Sequence, residues 1–131
     1  MDAARRVLLL EGGMGALWAV YGLVTTSVAT VVGAWWLAVP SAVTVVALTY
    51  AEDHRMMDWD PYRRGAVAIA AVVVGVAVVW LLAILTSLAV VETIGVGITG
   101  MGAGLLGYRI VYGVVRPVPE ARLAAESGQS V

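Results

Sequence analysis

From Val7 to Ala51 the chain runs for 45 residues with a single charged side chain, Glu11. One helical bilayer crossing takes about 20 apolar residues, so a run of this length holds two crossings and a tight turn. A 131-residue chain that is 61% hydrophobic and 13% charged is far from the soluble norm of about 45–50% apolar and 25% charged. Too little of it is polar to cover that much apolar surface in water. The expected fold class is all-α, an integral membrane bundle whose solvent is lipid, because helices satisfy every backbone polar group internally.

Length places the first turn at Thr25-Thr26-Ser27 and gives spans over 7–25 and 28–50. A turn at Pro40-Ser41 would suit the interfacial preference of Trp35 and Trp36, but it leaves the second helix too short to cross. Pro40 therefore falls inside the second span and is expected to kink it. Residues 52–64, EDHRMMDWDPYRR, form the one internal polar segment. Within it Asp60-Pro61 is a helix start, aspartate as N-cap and proline at the first helical position. A third span follows over 66–86 and a fourth over 93–115, closed by Arg116-Pro117-Val118-Pro119. Residues 1–116 thus read as a membrane domain of four transmembrane helices, and 117–131 as a short, flexible cytoplasmic tail. Arg5 and Arg6 before an apolar run resemble a secretory signal. No small-x-small cleavage site follows and further spans do, so an uncleaved first helix is expected.

Arg5 and Arg6 precede the first span, Arg55, Arg63 and Arg64 lie between the second and third, and Arg116 and Arg122 follow the fourth. The other two connections carry no arginine or lysine. The positive-inside rule then puts both termini and the 52–64 loop in the cytoplasm of a multi-pass cell-membrane protein. A net charge of −1 provides no basic field for nucleic acid. The absence of cysteine removes disulfides, thiolate nucleophiles and Cys-ligated metals.

The stretch Gly95–Tyr112, GVGITGMGAGLLGYRIVY, has six glycines in eighteen residues and one arginine, Arg109. An interior glycine costs a soluble helix about 1 kcal/mol against alanine, whereas in lipid it lets helix backbones approach closely. This fourth span is therefore expected to be the central packing helix. At about 100° per residue, Gly97, Gly100, Gly104 and Gly107 share one face, a small-xxx-small pattern that suits either a partner interface or the chain's own helices. Arg109 shares another face with Gly95, Gly102 and Gly113. On the first span Glu11, Gly15, Trp18 and Gly22 align. Counted from the cytoplasmic ends at about 1.5 Å per residue, Glu11 and Arg109 come to similar depths, so an intramembrane charge pair is expected. Such a pair is either a packing contact or a proton or substrate site.

Glu52, Asp53, His54, Asp58 and Asp60 could in principle ligate a metal, but they lack any recognised ligand spacing and face competing arginines, so no metal or other cofactor is expected. Arg63 and Arg64 are expected to contact anionic lipid headgroups, with Trp59 and Tyr62 in the aromatic belt. With no catalytic constellation in view, an enzyme is not expected. A glutamate in the first span is also found in small multidrug-resistance transporters, and GGMGA is similar to the glycine-rich opening of fluoride channels. RRVLLLEGGMGAL does not reproduce the first context, and the asparagine and phenylalanine of the second are missing, so no family is assigned. The expected function is a structural or accessory subunit that packs through its glycine-rich fourth helix, as a homo-oligomer or against a membrane partner subunit. The alternative is a small oligomeric ion- or proton-coupled transporter or channel using Glu11 and Arg109.

Overall fold

Helix α1 (Ala3–Thr25) starts where the Asp2 carboxylate accepts the Arg5 backbone N–H at 2.7 Å. It stops where Thr25 and Thr26 turn their hydroxyls back onto the carbonyls of Tyr21 and Gly22, at 2.9 and 2.6 Å. Ser27 then caps the next helix by accepting the Thr30 N–H at 3.0 Å. The turn thus falls on the Thr-Thr-Ser segment, whose side chains supply the orphaned end groups with partners. This computed structural model describes residues 2–56, 59–86 and 89–129; the described residues are almost all helical and contain no strand.

The second apolar segment departs from expectation. Instead of one kinked helix over 28–50, it forms α2 (Val28–Gly33) and α3 (Trp35–Ala51), interrupted at Ala34 with φ −105° and ψ 33°. Pro40 lies inside α3, where it withdraws an N–H from the ladder. The interruption comes one and a half turns earlier, beside Gly33, a residue that weakens a helix interior by about 1 kcal/mol. Ala34 is itself buried, packed with Leu37 and with Val96 of the glycine-rich helix. Among the described residues, three helices are individually long and apolar enough to cross a membrane: Ala3–Thr25, Pro61–Leu82 and Val90–Val115.

Asp60 caps α4 (Pro61–Leu85) by accepting the Tyr62 N–H at 3.2 Å, with Pro61 in the first turn, and the helix begins five residues before the expected span. The glycine-rich helix α5 (Val90–Ile110) passes into a π-helical turn, Val111–Val115, in which Tyr112 leaves helical geometry. Beyond the prolines the tail contains a further helix, α6 (Glu120–Gln129), and Val118 just before it is buried.

Helix α5 lies between α1, which runs antiparallel to it, and α3, which runs parallel. A β-carbon on Gly15 would stand 2.8 Å from the Leu106 nitrogen, and Gly22 faces Gly95 and Thr99, so α1 and α5 meet backbone to backbone. On the other side Gly100 and Gly104 receive the backbones of Ala38 and Ala42; a β-carbon on Gly104 would stand 2.6 Å from the Ala42 oxygen. Gly97 is in ordinary contact with Ser41 at 3.9 Å, and Gly107 has nothing within 4 Å. Helix α4 packs against α5, and its Leu82 sits at the Ala34–Leu37–Val96 cluster. Of the described residues in its most apolar window none is buried, against half of the corresponding window of α5.

Candidate functional site

At the end of the bundle where α1 begins and α3 and α5 finish, α5 carries Arg109 into complete burial, 0% exposed. Its guanidinium grips two carboxylates. Nε donates to Glu11 Oε2 of α1 at 2.7 Å, and Nη2 lies 2.6 Å from the same oxygen. Nη1 and Nη2 donate to Asp53 Oδ2 and Oδ1 at 2.8 and 3.1 Å, the two-pronged fit that only arginine offers. Asp53 is 1% exposed. It is brought inward by a π-helical turn, Glu52–Met56, that continues α3. Tyr108, one residue before Arg109, donates its hydroxyl to Asp53 Oδ2 at 3.0 Å.

The remaining oxygen of Glu11 accepts from Arg122 of α6, whose Nη1 also lies 3.7 Å from Glu52 Oε1. Two guanidiniums therefore face two buried or half-buried carboxylates, with Glu52 at the rim. Burying one ion costs several kcal/mol even after relaxation, which is recovered only when the geometry is good and the other lone pairs are satisfied. Both oxygens of Asp53 and both of Glu11 have donors here. Chemically the cluster is a clamp that joins α1, α3, α5 and α6 at one level.

Rings line the flank of the clamp. Tyr108 stacks on Tyr112 with centroids 4.8 Å apart, Tyr50 stacks on His54 at 4.1 Å, and Tyr112 meets His54 edge-on at 5.8 Å. Of the loop carboxylates considered as metal ligands, Asp53 is committed to Arg109 and Tyr108, Asp60 caps α4, Glu52 faces Arg122, and Asp58 lies outside the described residues. The Arg63 guanidinium sits 4.1 Å from the centroid of the Trp59 ring, a cation–π contact, and Arg64 is half-buried beside it in sequence.

Sequence reasoning brings Glu11 and Arg109 to one level but misses Asp53, Tyr108 and Arg122. Removing the Arg122 guanidinium tests how α6 is held. Because that contact is partly solvated, Arg122→Ala should weaken α6 docking by up to about 1 kcal/mol, a several-fold rise in the undocked population. Limited proteolysis within 120–129 should speed up correspondingly, and an unchanged rate would mean the proline segment alone holds α6.

The described residues therefore define an all-helical protein, with three helices among them able by length and composition to span a membrane and a buried clamp of charge at one end. No family model, curated protein or solved structure matches the chain, so function is argued from this geometry.

Proposed function

We propose that the protein is a four-span membrane protein that serves as a structural or accessory subunit of a membrane complex. In this reading α2 and α3 together make the second crossing, since Val28–Ala51 covers about 36 Å at the standard rise despite the interruption. The even count is supported by the clamp, which gathers the first turns of α1, the last turns of α3 and α5, and α6 at one end. The arginine distribution supports a cytoplasmic side for that end and a plasma-membrane location for the protein. Residues 1–116 then form the membrane domain, and Arg63 and Arg64 flank it at the headgroup level.

The observation that carries the subunit reading is the contrast between two apolar helices. Gly100, Gly102 and Gly104 of α5 are covered by α1 and α3 of the same chain, while most described apolar side chains of α4, Ile69, Val73, Trp80 and Ile84 among them, are exposed. The partner-facing helix in this proposal is accordingly α4 rather than α5. The chain has no cysteine, so single cysteines at Val73 or Ile84 can be cross-linked in native membranes. A stoichiometric partner captured from α4 and retained in mild detergent is the expected result. Capture of nothing but lipid and the protein itself would overturn it.

A second reading, a small proton- or ion-coupled transporter or channel, is favoured by one observation. Glu11 keeps 16% side-chain exposure within the clamp, and an ionisable group inside an apolar span is a functional candidate by default. Proteoliposomes should then show a flux that Glu11→Gln abolishes; flux that survives the substitution removes Glu11 from the mechanism.

A further inference from the structure

An open groove of about 440 Å³ lies beside the clamp, between the turn that follows α3, the turn that follows α5 and the start of α6. His54, Tyr112, Val118 and Leu123 line it together with Arg116 and Glu120, which are separated in the chain by the proline segment. Arg116 is held at the end of the π turn by its backbone N–H, which donates to the Val111 carbonyl at 2.7 Å. The Arg116 and Glu120 side chains are exposed, and they form no ion pair with each other or with any other described residue. Both therefore face solvent along a largely apolar groove.

The imidazole narrows the chemistry. His54 Nδ1 lies 3.0 Å from the Tyr50 carbonyl oxygen. A carbonyl only accepts, so in the neutral ring Nδ1 carries the proton and Nε2 is a lone-pair acceptor. The groove therefore offers one cationic donor, Arg116, and two acceptors, Glu120 and His54 Nε2. A purely anionic ligand would meet Arg116 but be repelled by Glu120. A ligand with a phosphate and a primary ammonium satisfies all three groups.

We propose that this groove binds the headgroup of an ethanolamine phospholipid. The phosphate is held by Arg116, the ammonium donates to Glu120 and His54, and the glycerol end lies on Val118 and Leu123. A volume of about 440 Å³ takes a headgroup but not two acyl chains, which run outward along the apolar bundle. The proposal rests on the membrane reading above, because a site at the end of α5 meets headgroups only if α5 spans a bilayer.

The test is native mass spectrometry of the full chain released from nanodiscs containing equal amounts of phosphatidylethanolamine, phosphatidylcholine and phosphatidylglycerol with matched chains. The ethanolamine lipid should be retained several-fold over both others. Arg116→Gln should lower retention of all three, and Glu120→Gln should erase the preference for ethanolamine over glycerol. Both side chains are exposed, so neither change threatens folding. Retention led by phosphatidylglycerol, or a wild-type ratio in both variants, would overturn the site. Displacement of the lipid by phosphoethanolamine at equal concentration would overturn its assignment to a lipid. If the chain is recovered from cells without detergent, the membrane reading fails instead, which separates that outcome from failure of the site.

Discussion

Arg109→Gln should destabilise the protein by about 3–5 kcal/mol, because it removes one partner of a buried ionic cluster and leaves the others uncompensated. Arg109 is fully buried and touches both Glu11 and Asp53. Asp53, at 1% exposure, would keep only the Tyr108 hydroxyl as donor. Asp53→Asn should cost less, about 1–3 kcal/mol, since the amide still accepts from Tyr108 and Arg109 keeps Glu11 as counter-charge. Glu11→Gln should cost least, because water reaches that side chain. Arg109→Lys should fall between Arg109→Gln and wild type, since an ammonium preserves the charge but cannot grip a carboxylate with two parallel bonds. Unfolding in mixed micelles, followed through the five tryptophans, gives the order directly. Arg109→Gln within about 1 kcal/mol of wild type would mean that the cluster contributes no net stability and would take the clamp out of the structural argument.

The parts of the clamp differ in how far they can be read from the sequence. Glu11 and Arg109 are lone charges in long apolar runs, so helix rise alone gives their levels and helix rotation gives their faces. The facing of Gly15 and Gly22 of α1 toward Gly95 and Gly102 of α5 follows from the same arithmetic. Asp53 cannot be found this way. It is one of five acidic or imidazole groups in 52–60 with similar chemistry, and it is a non-α turn, Glu52–Met56, that carries it inward. Arg122 is hidden for another reason. It follows two prolines in a small, polar segment whose helix has no apolar run to announce it, and its placement depends on Val118 being buried against the bundle. The interruption at Ala34 has a weak local signal in Gly33, whereas the proline that draws attention, Pro40, is absorbed within α3. Ser41 and Thr44 donate their hydroxyls to the Leu37 and Pro40 carbonyls at 2.8 Å, so the helix on either side of the proline keeps close side-chain-to-backbone bonding.

The glycines of α5 make a second large prediction, one in which the sign of the effect separates packing positions from open ones. Alanine is ordinarily the better helix residue by about 1 kcal/mol, so Gly107→Ala, with nothing within 4 Å of its added β-carbon, should stabilise the protein by up to that amount. Gly104→Ala should do the opposite. Its β-carbon would stand 2.6 Å from the Ala42 oxygen and 2.8 Å from the Ala42 Cα, and these are backbone atoms of a neighbouring helix that cannot rotate away. Gly100, against Ala38, and Gly102, against Gly15 and Ala19, are equally closed. At each, α5 must move off its neighbour, at the roughly 1–3 kcal/mol typical of overpacking, and leucine should cost more than alanine. The loss should appear in the isolated chain, by the same micelle unfolding, whether or not a partner is present. If Gly100→Ala and Gly104→Ala instead left the isolated chain at wild-type stability and only released a co-purifying subunit, α5 would be the interface between proteins and α3 would not be its neighbour. The packing of α5 against α1 and α3 requires the other result, because a helix that already has two backbones at van der Waals distance has no room on those faces for a third.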